Sequence, residues 1–179
     1  MKENSTFFTI VCALVLGMMV PVSALATERS DIDTSLKALP LLMNKITGDT
    51  VMAVVYDPAD AASRADAGDI RKMVDTGIEV PGGGKLSAIL VGVSELGKLS
   101  RARIAFLTPG LDAHFDDIST ATSAASILTF STGIDCVRAA KCIIGVMTKP
   151  DVTIYYSKPA ADAAKIEFSQ AFSMLVKQP

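Results

Sequence analysis

Residues 126 to 158 read SILTFSTGIDCVRAAKCIIGVMTKPDVTIYYSK, and their pattern decides how the sheet of this protein is built. Apolar runs at 126–132, 141–147 and 151–156 predict three strands, the first two joined by a tight loop. Three residues separate the second run from the third, whereas a parallel return needs about a dozen residues or more. The stretch therefore predicts an antiparallel hairpin, with the change from parallel to antiparallel pairing beginning after Gly133.

The chain around this stretch alternates apolar runs with helical patterns. Three runs rich in Val, Ile and Leu predict further strands: TVMAVVYDP (50–58), KLSAILVGV (85–93) and ARIAFLTPG (102–110). Such unbroken runs are typical of strands that are covered on both faces, as in parallel sheets. Helical spacing of apolar residues predicts helices at 31–47, 61–74, 111–122 and 159–177.

This order of elements predicts an α/β fold. We expect one three-layer domain over residues 27–179, with a mostly parallel sheet, an antiparallel C-terminal hairpin and a C-terminal helix that closes the domain. The length lies in the range of about 100–200 residues that is usual for a single domain.

The first 26 residues have the three parts of a secretory signal peptide. Lys2 supplies the positive start, residues 7–22 form an apolar run, and Ala-Leu-Ala at 24–26 is a small-x-small cleavage site. A membrane anchor is the alternative, but a spanning helix needs about 20 apolar residues and the run is shorter. We predict cleavage after Ala26 and export of the mature chain, residues 27–179, to the periplasm.

Two cysteines, Cys136 and Cys142, remain in the predicted mature chain, and the compartment is oxidising. Only one pairing is then possible. We predict a disulfide that joins the loop after the fourth strand to the start of the fifth and contributes roughly 2 kcal/mol. A redox pair or a metal site is the alternative, although catalytic disulfides favour closer spacing and a metal needs further ligands.

Composition and motifs argue against several classes of function. The net charge of −2 and the lack of Trp offer little to a phosphate backbone, so nucleic acid is not expected as a partner. The single histidine, His114, is expected on the exposed side of a helix, and the sequence contains no Gly-x-Ser-x-Gly motif. The glycines before Lys85 depart from a phosphate-binding loop, because Leu86 and a strand follow. We expect no enzyme activity, no cofactor and no metal.

Small and polar residues follow the predicted parallel strands. The carboxyl ends of parallel strands share one edge of the sheet, where ligands bind in open α/β sheets. The candidate ligand or partner residues at this edge are Asp57, Ser94, Thr108, Gly110, Ser131, Thr132 and Gly133. The alternative is that they are ordinary turn residues, because no charged or aromatic lining accompanies them.

The region from residue 127 to 175 carries a family resemblance. The strand ILTFSTGI has a small, polar and glycine-containing end, a cysteine-bearing loop follows, and VTIYYSK runs into the Ala-rich start of a last helix that ends in Met174-Leu175. In these features the chain resembles the YfiR family of small periplasmic proteins. The resemblance implies a protein that acts by binding partners, and in particular control of a membrane-bound diguanylate cyclase and so of cyclic di-GMP signalling.

Two functions are compatible with the sequence. The first is a non-enzymatic regulator that binds the periplasmic region of a membrane sensor or diguanylate cyclase, or an outer-membrane protein. The alternative is a single-lobe periplasmic solute-binding protein of the transport-receptor type. Length favours the first function, because transport receptors usually close two lobes on a ligand and a single lobe would have to form a homodimer.

Overall fold

The computed structural model describes residues 26–179. The predicted signal peptide lies outside the described residues except for Ala26, so it stays a prediction. Within residues 26–179, no helix is both long enough and apolar enough to cross a membrane.

In this part of the chain, strands and helices alternate along most of the length. The strands are β1 Thr50–Tyr56, β2 Leu86–Gly92, β3 Ile104–Leu107, β4 Leu128–Ser131, β5 Ile144–Met147 and β6 Thr153–Tyr156. The α-helices are α1 Arg29–Leu36, α2 Ala61–Asp75, α3 Phe115–Ala124, α4 Asp135–Arg138, α5 Lys158–Ala163 and α6 Gln170–Ser173. Short 3-10 segments lie at Leu39–Leu41, Val93–Arg101 and Asp112–His114.

The six strands form one sheet in the order β2-β1-β3-β4-β5-β6. β1 pairs in parallel with both β2 and β3, and parallel pairing continues through β4 to β5. β6 runs antiparallel beside β5, with Ile144 opposite Tyr156. The predicted α/β class, with a mostly parallel sheet and an antiparallel C-terminal hairpin, is confirmed.

Helices cover both faces of the sheet. Side chains alternate along β1, so that Met52 and Val54 enter one core while Ala53 and Val55 enter the other. α1, α2 and α5 cover the first core, and the 3-10 segment at 93–101, α3 and α4 cover the second. This burial on two faces explains why β1 reads as an unbroken apolar run.

The predicted position of the change in strand direction is wrong by one strand. β5 pairs in parallel with β4, at Phe130 opposite Ile144, although antiparallel pairing was expected from Gly133 onward. The loop that was expected to be tight contains α4. This helical turn and its flanking residues provide the dozen or so residues that a parallel crossover needs. Strand direction therefore reverses only at the turn between β5 and β6.

The predicted final helix, residues 159–177, is divided into α5 and α6. Lys165 follows α5 with a left-handed φ of +56°, which ends the helix. The chain then pairs with the segment after α1, where the Ser169 N–H donates to the Leu41 carbonyl at 2.8 Å. Leu175, which was expected on the buried side, is exposed.

Two other helices differ from their predicted bounds. The helix predicted at 31–47 ends at Leu36, and Pro40 lies in the 3-10 turn that follows. Proline has no N–H to donate and cannot continue an α-helix. The helix predicted at 111–122 begins as a 3-10 turn and becomes α-helical at Phe115.

Three aromatic rings hold the C-terminal segment against the sheet. Phe172 stacks on Phe168 with ring centroids 4.0 Å apart and meets Tyr156 edge-on at 5.2 Å.

Phe172→Ala is therefore expected to lower the free energy of unfolding by about 3–5 kcal/mol, measured by urea denaturation. The control Leu175→Ala, in the same segment but exposed, should change it by less than about 0.5 kcal/mol. Equal losses in both variants would contradict this packing.

Candidate functional site

The predicted edge residues lie at the carboxyl ends of the parallel strands. Asp57 follows β1, Ser94 follows β2, and Thr108 follows β3. Ser131 is the last residue of β4, and Thr132 comes directly after it. Their contacts decide which of them belong to one site.

Five of the seven predicted residues line a common cavity of about 230 Å³ between the ends of β3 and β4, which we call the edge cavity. Its described lining is Thr108, Pro109, Gly110, Leu111, Asp112, Phe115, Ser131, Thr132, Gly133, Asp135 and Cys136. Asp57 and Ser94 are not part of this lining. The volume is below the range of about 300–1,000 Å³ that is usual for small-molecule sites.

Two hydroxyl groups, one on α2 and one at the end of β3, are hydrogen-bonded to each other and to the end of β1. The Thr108 Oγ1 hydroxyl donates to the Val55 carbonyl at 3.1 Å, so the Ser63 hydroxyl of α2 donates to Thr108 Oγ1 at 2.7 Å. Ser63 Oγ in turn accepts from the Asp57 backbone N–H at 2.9 Å. Ser63 and Thr108 are buried. These hydroxyls join β1, α2 and β3 and are not free to bind a ligand.

The other small residues of the edge also have local structural roles. Ser131 Oγ accepts from the Gly133 backbone N–H at 3.0 Å and so shapes the turn after β4. Gly110 has φ +83°, and a Cβ there would lie 2.7 Å from Asp60 Oδ2. Because the Asp60 carboxylate caps the start of α2, Gly110 allows the loop after β3 to approach that cap.

The charge of the edge cavity is acidic. Asp112 and Asp135 contribute exposed carboxylates, and Phe115 supplies an apolar wall. Of the described lining residues, none carries a positive charge. Arg138, which is outside the lining, forms an ion pair with Asp135 at 2.8 Å and so offsets one of these two carboxylates.

His114 lies in a position that the sequence did not predict. It was expected on the exposed side of a helix, but it ends the 3-10 turn before α3 and is partly buried. Its Nε2 atom is 3.7 Å from Asp57 Oδ2, beside the point where the sheet order reverses between β1 and β3. The two residues are far apart in sequence, so no local signal could have paired them.

The His114–Asp57 pair lacks the further parts of a catalytic site. Among the hydrogen bonds of residues 26–179, none joins the imidazole to a hydroxyl or a thiol, as a triad requires. The same residues contain no group of three or more His, Cys, Asp or Glu side chains placed to hold a metal ion. The pair is therefore a 3.7 Å contact between the ends of two elements.

Cys136 and Cys142 lie at disulfide-bonding distance, with their Cα atoms 5.3 Å apart. Both side chains are buried in the second core, and Cys136 also lines the edge cavity. The pair connects the first turn of α4 with the residues that lead into β5. A disulfide between them would hold one wall of the cavity in place, which stays a prediction for the loop after the fourth strand.

A second cavity, of about 130 Å³, lies at the carboxyl end of β5 and was not predicted. We call it the hairpin cavity. Its described lining is Ala26, Glu28, Asp31, Thr132, Val146, Met147, Thr148 and Lys149. Glu28 and Lys149 form an ion pair across it, and the hydrogen bond that the Lys149 ammonium donates to the Glu28 carboxylate raises the pKa of Lys149. No local pattern could have predicted this cavity, because the start of α1 and the β5–β6 turn are distant in the chain.

The chain has no match among protein-family models, and no curated protein matches it.

The Ser63 hydroxyl provides a direct test of the bonded network. Ser63→Ala leaves the Asp57 N–H without its acceptor and removes a donor to Thr108, so it is expected to cost about 1–3 kcal/mol of unfolding free energy. Urea denaturation would measure this loss. The exposed Ser100→Ala is the matched control and should change stability by less than about 0.5 kcal/mol. No difference between the two variants would rule out a structural network.

The state of the two cysteines can be tested by alkylation. The mature protein, unfolded without reductant, is expected to take up no thiol label at Cys136 or Cys142, and peptide mass spectrometry would measure the label. Unfolding with reductant should label both. Label at both positions before reduction would refute the disulfide.

Proposed function

We propose that this chain is an exported, non-enzymatic protein that regulates a membrane-bound diguanylate cyclase by direct contact in the periplasm. The predicted signal peptide and the buried cysteine pair support export, because disulfides persist in oxidising compartments. The resemblance of residues 127–175 to the YfiR family supports this class of partner. Repression is the direction of control that the resemblance favours.

The observation that carries the proposal is the exposed apolar surface at the turn between β5 and β6. We call residues 147–152 the hairpin tip. Val152 is 64% exposed and Met147 is 37% exposed, and both flank the polar turn that borders the hairpin cavity. Apolar side chains beside a shallow cavity, with the Glu28–Lys149 ion pair at the rim, have the character of a protein-contact surface.

The polar groups at the carboxyl edge of the sheet fit a protein that binds a partner better than one that catalyses a reaction. Thr108, Ser63 and Ser131 are each hydrogen-bonded within the fold. Throughout residues 26–179, no buried side-chain nitrogen or oxygen lacks a hydrogen-bond partner. A reacting centre usually needs groups that are left free to act on a substrate, so surface contact is the better-supported mode of action.

The solute-binding alternative depends on the edge cavity. A cavity at the carboxyl edge of a parallel sheet is the usual place for a ligand. Its small volume of about 230 Å³ and its bonded hydroxyls leave few groups to recognise a solute. The regulator is therefore preferred.

Deletion of the gene in the native cell is expected to raise cyclic di-GMP, and the wild-type gene should restore the original level. Val152→Glu should fail to restore it, because a charge placed in an apolar contact lowers the binding free energy. Each ~1.4 kcal/mol that is lost weakens binding about tenfold. Met174→Glu is the matched control, since Met174 is 83% exposed and lies away from the hairpin tip in sequence. It should restore the original level.

Two outcomes would overturn this proposal. One is an unchanged cyclic di-GMP level after deletion. The other is a rise in melting temperature of the purified protein with a small metabolite together with unchanged cyclic di-GMP, which would favour the solute-binding alternative. Loss of function with Met174→Glu instead of Val152→Glu would move the contact surface to the C-terminal segment and refute the hairpin tip.

A further inference from the structure

The first residue after the predicted cleavage site is held by a buried carboxylate. The Thr27 backbone N–H donates to Asp66 Oδ1 at 2.7 Å, and the Thr27 hydroxyl donates to Asp66 Oδ2 at 2.9 Å. Both residues are buried, with 5% and 6% of their surfaces exposed. Asp66 lies on α2, so this bidentate contact joins the start of the predicted mature chain to a central helix.

The surroundings of Asp66 lack a compensating positive charge. Its neighbours Asp69 on α2 and Asp31 on α1 are acidic, and burial raises the pKa of the Asp66 carboxyl above its ordinary value. In the described part of the chain, no Lys, Arg or His nitrogen forms an ion pair with Asp66. Arg29 of α1 is directed to Thr76 and to the Gly77 carbonyl instead. In the uncleaved chain, the main-chain partner of the buried Asp66 carboxylate is thus the uncharged N–H of Thr27.

Signal-peptide cleavage would change that partner. Hydrolysis breaks the bond between the Ala26 carbonyl carbon and the Thr27 nitrogen, and water supplies a hydroxyl to Ala26 and a hydrogen to the nitrogen. The new amine takes up a proton at neutral pH, since its ordinary pKa is about 7.7–8.0. The atom that lies 2.7 Å from Asp66 Oδ1 then carries a positive charge.

We propose that Asp66 is a binding site for the α-ammonium group of Thr27, and that cleavage after Ala26 completes a buried ion pair that the uncleaved chain lacks. The geometry for this pair exists before cleavage, so only the charge of the nitrogen changes. Charge-assisted hydrogen bonds are roughly twice as strong as neutral ones. The mature chain is therefore held more firmly at its N-terminus than the precursor. This inference rests on the export part of the proposed function and not on the identity of the partner.

The proposal predicts how the stability of the uncleaved and the mature chain changes with pH. In the uncleaved chain, Asp66 has a raised pKa, so it contributes stability at low pH that is lost as the carboxyl ionises. In the mature chain, the ammonium gains a partner and its pKa rises above the ordinary value. Its contribution is complete below about pH 7.7 and is lost as pH increases through the raised pKa. Asp31 and Asp69, which are both acidic, strengthen this preference for a positive charge.

The test compares four proteins that are exported from the full-length gene. Two begin at Thr27, with Asp66 or with Asp66→Asn, and two carry one alanine inserted before Thr27, again with Asp66 or Asp66→Asn. Intact mass identifies the first residue of each. Asparagine keeps both hydrogen bonds, because its oxygen can accept from the backbone N–H and its amide can donate to the threonine hydroxyl.

Asp66→Asn is expected to lower the melting temperature at pH 7 by about 3 °C or more in the chain that begins at Thr27. In the extended chain the same substitution should leave it unchanged or raise it, because the Thr27 nitrogen there is an uncharged amide N–H and the ammonium is moved to the inserted alanine. The pKa of the Thr27 amine, followed by the pH dependence of its acylation rate, should lie roughly one unit or more above 7.7–8.0. It should return to that range with Asp66→Asn.

An amine that titrates in its ordinary range in the wild-type mature chain would overturn the ion pair. Equal changes in melting temperature in the two backgrounds would also overturn it. If the protein expressed from the full-length gene keeps residues 1–26, the predicted export is wrong, and so is the periplasmic location of the proposed regulator. Cleavage at Thr27 with an ordinary amine pKa would overturn the ion pair alone and leave the regulator intact.

Discussion

The burial of β1 on both faces constrains the rest of the molecule. β1 lies between β2 and β3, so the chain must leave it on one side and return on the other. α2 makes the first crossover, and the 3-10 segment at 93–101 leads back to β3. The chain therefore leaves the carboxyl ends of β1 and β3 in opposite directions, and ligands often bind in the crevice between two such strand ends. Here the Ser63 and Thr108 hydroxyls bridge that crevice, and the edge cavity lies one strand further along.

The opposite end of the sheet has a different constraint, because β6 would otherwise expose its outer edge. Unpaired strand edges invite association with other chains. The Tyr156 N–H donates to the Lys177 carbonyl, and the Lys177 N–H donates to the Ile154 carbonyl, so the last residues cover part of this edge. A continuous helix to residue 177 could not supply those bonds. The extended residues after α6 are thus what pairs with the edge of β6.

Sequence patterns predicted the features that depend on burial along a continuous run. β1 and β3 are covered on two faces and read as unbroken apolar segments, so the α/β class and the candidate edge could be inferred. α4 was missed because four residues are too few to show a helical period. The Asp57–His114 pair and the Ser63–Thr108 bond were missed because their members meet only through the crossovers. Contacts of that kind depend on topology and leave no local signal.

The start of the described chain contacts two separate parts of the fold. Asp66 holds Thr27 at one end of the segment 27–31. At the other end, the Asp31 carboxylate accepts from the Thr148 hydroxyl in the β5–β6 turn at 2.5 Å. Asp31 belongs to the first turn of α1, and its carboxylate also accepts from the Glu28 backbone N–H in the capping box that starts this helix. The short segment 27–31 therefore contacts both α2 and the β5–β6 turn, and any influence of the proposed cleavage on the proposed contact surface would have to pass through these hydrogen bonds.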